Sequence, residues 1–277
     1  MRKTKIICTI GPSVSDLAMI ERLIGCGMDV ARLNFSHGNH DMHREVIDRI
    51  KYARKKADKP VAILLDTKGP EIRVGKFVNG SIHVKKDQAI RIAKSEVIGD
   101  DSIFSIHPLQ VLEGVYVGTQ ILFDDGYISS HITSIDAETI TISFDNEGEL
   151  KNNKGVNIPN CKLNLPNVPE KDFEDIRFGC EHGIDLIAAS FVRSPEAILE
   201  IKNFLRSINS ENTLVLAKIE NHEGVENFDG IIQIADGVMI ARGDLGVEVP
   251  ISQVPNLQKM MIRKSNLYGK LSVTATQ

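Results

Sequence analysis

Lys218, Glu220, Arg242 and Asp244 each follow a short apolar run within residues 214–249 (LVLAKIENHEGVENFDGIIQIADGVMIARGDLGVEV). The runs cover residues 214–217 and 237–241, and between them Val225, Phe228, Ile231, Ile232 and Ile234 recur at helical spacing. The pattern predicts strand, helix, strand, with the charges at the C-terminal ends of two neighbouring parallel strands. Two positions apart on a strand, Lys218 and Glu220 point the same way. Paired carboxylates beside a lysine suit a hard divalent cation such as Mg²⁺, which takes oxygen ligands from protein, water and phosphate. The lysine would stabilise negative charge that develops on an anionic substrate. Singly, each charge reads as an ordinary strand-end residue. Together, ahead of the glycine-rich turn Arg242-Gly243-Asp244-Leu245-Gly246, they argue for an active site at a barrel mouth.

Two other strand ends add to this set. Arg32, Asn34 and Ser36 alternate along one face, followed by His37, and a further apolar run ends in Asp66, Thr67, Lys68, Glu71 and Arg73. An arginine suits bidentate contacts to phosphate, and short oxygen ligands beside it could hold a monovalent cation. Asn34, Ser36, Asp66 and Thr67 taken alone would serve as caps and turn residues. His37, His40, His43, His182 and His222 would each be merely exposed. The Gly25-Cys26-Gly27 stretch precedes a strand and lacks the third glycine of a dinucleotide fingerprint, and no phosphate-binding P-loop occurs.

The elements that position these residues follow a βα rhythm. A strand at 5–10 stops at Gly11-Pro12. A helix capped by Ser13 or Ser15 carries Leu17, Ile20, Leu23 and Ile24 and ends at Gly25 and Gly27. Strand 30–35, helix 40–57 and strand 60–65 come next. From 74 to 158 the pattern becomes short alternating segments divided by Asn79-Gly80, Asp125-Gly126 and Glu147-Gly148, an antiparallel β reading. The rhythm resumes with helix 171–181, strand 184–191, helix 195–207, the strands of the opening, helix 254–268 and strand 271–276. Seven parallel strands result. The expected fold is α/β, a TIM (β/α)₈ barrel lacking one strand, formed by residues 1–70 and 159–277. A small antiparallel β-barrel domain, residues 71–158, is inserted after its third strand.

Composition bounds the partners. The 277 residues are 42% hydrophobic and 25% charged with a net charge of −4, and no basic stretch is interleaved with aromatics, which argues against nucleic acid. The basic piece at 51–59 ends a helix, where the dipole favours cations. Cys8, Cys26, Cys161 and Cys180 form no CxxC pair and read as buried, reduced thiols. The opening MRKTKIICTIGP has too short an apolar run for a signal peptide or membrane span, so a cytoplasmic protein is expected.

KIICTIGP, VARLNFSHG, LLDTKGPEIRVG, FDDGYIS, NLPNVPEKD, AASFVRSP, AKIENHEGV, DGVMIARGDLGVEVP and TATQ, in this order along the whole chain, resemble the pyruvate kinase family, bacterial type. The resemblance implies a mobile lid inserted in a TIM barrel. It also implies transfer of a phosphoryl group from phosphoenolpyruvate to ADP, giving pyruvate and ATP, with Mg²⁺ (or Mn²⁺) and K⁺. Arg32 would bind the substrate phosphate. Asn34, Ser36, Asp66 and Thr67 would hold K⁺, and Glu71 is the residue usual in K⁺-dependent members. His37 and Arg73 would touch the nucleotide, with Asn34 beside them. Lys218 would stabilise the transferring group and the enolate, and Glu220 and Asp244 would ligate the divalent cation. The backbone at Gly243 and the Thr276 hydroxyl would hold the substrate carboxylate, with Thr276 near the enolate's protonation face. Members of the family continue beyond the point matching Gln277 with an eighth strand, closing helices and a C-terminal regulatory domain, and form homotetramers. Two alternatives stand beside this reading: a catalytically inactive truncated pyruvate kinase, and a Mg²⁺-dependent, enolate-stabilising barrel lyase or aldolase.

Overall fold

A computed structural model describes residues 3–275. β1 (Ile7–Thr9), α1 (Leu17–Cys26), β2 (Val30–Asn34), α2 (His40–Lys56) and β3 (Ala62–Asp66) form the first βα units. Ten strands follow: β4 (Ile72–Val74), β5 (Ser81–Val84), β6 (Ala89–Ala93), β7 (Ile103–Phe104), β8 (Ile106–His107), β9 (Gln120–Phe123), β10 (Ile128–Ile135), β11 (Thr139–Phe144), β12 (Gly148–Lys151) and β13 (Gly155–Asn157). The chain returns through α3 (Glu170–Glu181), β14 (Leu186–Ala189), α4 (Pro195–Ser207), β15 (Leu214–Ile219), α5 (His222–Glu226), α6 (Phe228–Ile234), β16 (Gly237–Ile240), α7 (Arg242–Glu248), α8 (Val254–Leu267) and β17 (Leu271–Thr274).

The seven strands expected to be parallel form one sheet in the order β1-β2-β3-β14-β15-β16-β17. Every neighbouring pair is parallel. The sheet curls as a barrel wall does. Leu64, Ala188, Leu216 and Met239 pack together on its concave side. The larger core lies on the convex side, where residues such as Ile63, Ile187 and Val238 meet the apolar faces of the helices, for instance Ile20, Ile47, Ile201 and Ile231. Burial on both faces of β3, β14, β15 and β16 explains why these strands read as apolar runs and not as alternating patterns.

The other sheet has the order β7-β6-β11-β10-β9-β13-β4-β8, with β5 and β12 paired separately. It is antiparallel, as expected, except for the parallel β6–β7 pair. Its nearly closed curl surrounds a core of its own, in which Phe77, Phe104, Phe123 and Phe144 touch in series with ring centroids 5.7, 5.9 and 6.0 Å apart.

Several local expectations need correction. The cap of α1 is Asp16, whose side chain accepts from Met19 N, and not Ser13 or Ser15. Pro12–Val14 forms a separate 3₁₀ turn and moves the helix start along the chain. The single helix expected between β15 and β16 is two, α5 and α6, meeting at Asn227. Arg242–Gly246 is the body of helix α7 and not a turn. Ser36 lies beyond β2, in the turn after it, and so does not share the strand face with Arg32 and Asn34. Its N–H instead donates to Asn34 Oδ1 at 3.0 Å.

Candidate active site

The strand-end charges converge at the C-terminal edge of the parallel sheet. Lys218 is at the end of β15 and only 9% exposed. Its Nζ lies 3.0 Å from Asp66 Oδ1, 3.0 Å from Glu220 Oε1 and 2.8 Å from Ser190 Oγ. Glu220 follows β15, so the two side chains meet across the last strand position and not along a regular strand face. Asp66, at the end of β3 and 1% exposed, also accepts a hydrogen bond from Arg32 Nε. Arg32 Nη1 donates to Thr9 Oγ1 at 2.7 Å, which holds its guanidinium against β1. The ends of five neighbouring parallel strands thus hold a lysine and an arginine against buried carboxylates.

Burial opposes the Lys218 charge, but Glu220 and Asp66 outweigh it and raise its pKa above the usual lysine value, so the ammonium is kept at neutral pH. Glu220 is buried, and burial together with the Asp244 charge pushes its pKa up to about 7, against the pull of Lys218 and of the Phe191 N–H. That N–H donates to Glu220 Oε2 at 2.6 Å.

Asp244 and Gly243 lie in the first turn of α7, both exposed, and a Cβ on Gly243 would meet nothing within 4 Å. The backbone there can be approached closely. Asp244 joins Glu71, Arg73, Asp125, Lys154, Asn157, Arg193, His222 and Glu248 in lining a cleft of about 730 Å³ between the two sheets. Arg73 forms hydrogen bonds to Glu71 Oε2 through Nε (3.0 Å) and Nη2 (2.7 Å). His37 is exposed in the turn after β2, and its carbonyl accepts from His43 Nε2 at 2.9 Å. Thr276 lies outside the described residues.

The predicted metal ligands divide into two groups. Glu220 and Asp244 are close enough for the charge of one to raise the pKa of the other, a conflict that a divalent cation between them would relieve. Their oxygens fit Mg²⁺ or Mn²⁺, with the remaining positions left to water and phosphate. Asn34 and Asp66 face each other in register on β2 and β3, with Ser36 and Thr67 next along the chain. Each of these side chains has an oxygen to offer, as a K⁺ site requires, although Thr67 Oγ1 also accepts from Ser190 N at 3.0 Å and Asp66 is already paired with Arg32 and Lys218. Among the described residues no group of three or more His, Cys, Asp and Glu side chains forms a metal cluster.

Ser190, Phe191, Lys154 and Glu248 lie at the site without being expected there from the sequence. Ser190 is 6% exposed and bridges Lys218 to the Thr67 carbonyl, to which its hydroxyl donates at 2.6 Å. It ends an apolar run just as Lys218 does, and that position was the available signal. Lys154 Nζ pairs with Asp124 Oδ1 at 2.7 Å on the cleft wall. Glu248 Oε1 accepts from Asn157 Nδ2 at 2.7 Å, a bond between α7 and the end of β13.

Residues 1–277 match the sequence model of the pyruvate kinase barrel domain. The chain is 49% identical over 279 residues to a pyruvate kinase of Staphylococcus aureus (strain MRSA252), covering all of this chain and 48% of that protein. It is likewise 49% identical over 278 residues to a pyruvate kinase of Geobacillus stearothermophilus, covering all of this chain and 47% of the relative. The chain therefore spans about half the length of the curated relatives it matches. With the strand-end lysine, its carboxylate partners and this similarity along its whole length, the chain belongs to the pyruvate kinase family.

Proposed function

We propose that this chain carries the phosphoryl-transfer site of a cytoplasmic pyruvate kinase, in which the group leaves the enol oxygen of phosphoenolpyruvate and bonds to a terminal oxygen of ADP. The observation that carries this reading is Lys218, buried and kept charged at the sheet edge between Asp66 and Glu220. Phosphoryl transfer asks a protein mainly for positioning and for stabilisation of charge. Arg32 would bind the substrate phosphate, and Lys218 would face the transferring group and the oxygen it leaves. The α7 backbone at Gly243 and the Thr276 hydroxyl would hold the carboxylate. His37, Asn34 and Arg73 would meet the nucleotide. Glu220 and Asp244 would hold Mg²⁺ or Mn²⁺, and Asn34, Ser36, Asp66 and Thr67 would hold K⁺; such cations, when bound, neutralise phosphate oxygens and brace the two anionic substrates. Residues 71–158 would act as a lid over residues 1–70 and 159–277, excluding water that competes for the phosphoryl group.

The test is pyruvate formation from phosphoenolpyruvate and ADP by the 277-residue chain, with Mg²⁺ and with or without K⁺. Turnover that needs both ions is expected. Its absence in a folded chain would favour the inactive form. Aldol or citrate-type cleavage without nucleotide would replace the reading with that of a lyase.

A further inference from the structure

Asp172 belongs to none of the roles above, yet it is a buried carboxyl in the first turn of α3, 3% exposed. Its Oδ2 accepts from Gly69 N at 3.0 Å. Its Oδ1 is the one buried side-chain oxygen among the described residues without a hydrogen-bond partner. Burial raises its pKa, against the pull of the Gly69 N–H and the Thr67 hydroxyl. A position that served packing alone would be better filled by an apolar side chain, since a buried polar group left partly unpaired is costly.

What Asp172 holds is the segment facing the site. Gly69 has φ +74°, and a Cβ there would come within 2.8 Å of both Ser190 Cβ and Phe191 Cδ2. The two segments are also joined by Thr67 N to Ala188 O (3.0 Å), Ser190 N to Thr67 Oγ1 (3.0 Å) and Ser190 Oγ to Thr67 O (2.6 Å). Phe191 has φ +53°, a conformation costly for a bulky residue and sustained only when its surroundings dictate it. In that conformation its N–H meets Glu220 Oε2, while the Ser190 hydroxyl accepts from Lys218.

We propose that Asp172 is a positioning residue: by anchoring Gly69 it presses the 67–69 segment onto Ser190-Phe191 and so fixes the orientation of Lys218 and Glu220. The inference rests on the phosphoryl-transfer reading for what those two groups do, but not for how they are held. A carboxylate ligand is only as well aimed as the donors behind it, and loss of such support typically lowers metal affinity or activity about 10–100-fold.

The test compares Asp172→Ala, Asp172→Asn and Gly69→Ala in the 277-residue chain. Mn²⁺ affinity is read by electron paramagnetic resonance, and kcat and KM by pyruvate formation. Asp172→Ala is expected to weaken Mn²⁺ binding and lower kcat, each about tenfold or more, with KM for ADP changed less than twofold. Asp172→Asn, which keeps an acceptor for Gly69 N, is expected to restore most of the affinity. Gly69→Ala, which forces the contact apart from the other side, should reproduce the loss and stands in if Asp172→Ala does not fold. Unchanged Mn²⁺ affinity in a folded Asp172→Ala or Gly69→Ala chain overturns the proposal, as does an Asp172→Asn chain no better than Asp172→Ala. If the unaltered chain forms no pyruvate, the functional reading fails, while the Mn²⁺ affinities still decide the role of Asp172.

Discussion

At the sheet edge one cation, Lys218, is held where water is scarce, only 9% exposed. Lys218 touches two carboxylates and a hydroxyl, and these partners leave its ammonium little freedom. Lys218→Ala should therefore lower kcat for pyruvate formation by about 10²–10³-fold or more, the cost of losing one preorganised charge-stabilising group. ADP binding, followed by titration calorimetry, should change little, because the proposed nucleotide contacts are those of Asn34, His37 and Arg73; retained turnover would remove Lys218 from its role. Glu71 poses a different question, because it lies between cations, 2.7 Å from Arg73 and 3.8 Å from Lys68. On the proposed reading, in which Glu71 accompanies a K⁺ site, Glu71→Lys would supply a tethered ammonium in place of the ion's charge. Pyruvate formation by that variant should lose its dependence on K⁺, and an unaltered K⁺ requirement would separate Glu71 from the ion.

At the scale of the element, α7 joins the two halves of the cleft. Its first turn presents Gly243 and Asp244, and its last residue, Glu248, takes a hydrogen bond from Asn157. Burial raises the pKa of Glu248, more than Asn157 and His222 lower it. A carboxyl with a raised folded-state pKa favours the fold fully below its unfolded value, and that contribution is lost as pH rises through the folded value. Glu248→Gln keeps the acceptor for Asn157 and removes the titration. Its gain in Tm over the unaltered chain should thus be small at pH 4 and larger at pH 8; a gain independent of pH would discount the buried charge. This helix was hidden from sequence reading because Gly243 and Gly246 disfavour helix within only seven residues. The Asn157–Glu248 bond was equally hidden, since it spans 91 positions and neither residue stands in a periodic pattern. Lys218, Glu220, Asp66 and Asp244 were legible for the opposite reason: the buried inner strands are apolar along their length, so the charges that follow each apolar run mark the mouth. Ser190 obeys the same rule, but a small hydroxyl is too common after a strand to announce itself.

At the scale of the whole molecule, the chain has two principal cores that share no residue. One joins the convex side of the parallel sheet to its helices, and the other fills the antiparallel sheet around Phe104, Phe123 and Phe144. The backbone crosses between them at Gly69-Pro70 and again after Ile158, where Arg193 Nη2 donates to the Leu165 and Pro166 carbonyls at 2.8 Å each. The change of sequence rhythm at this point has a physical cause, since alternation replaces apolar runs wherever one face of a sheet meets water. If residues 71–158 act as a lid, they should be able to lose their packing without unravelling the barrel. Phe123→Ala removes a fully buried ring that touches both Phe104 and Phe144, a change costing about 3–5 kcal/mol. Calorimetry of that variant should show a transition moved to lower temperature beside one left in place. Amide exchange should quicken in β9, β10 and β11 but not in β14, β15 and β16. A single transition that moves as a whole, with exchange rising equally in both sheets, would mean that the two cores unfold together and that closure over the cleft cannot be an independent motion of residues 71–158.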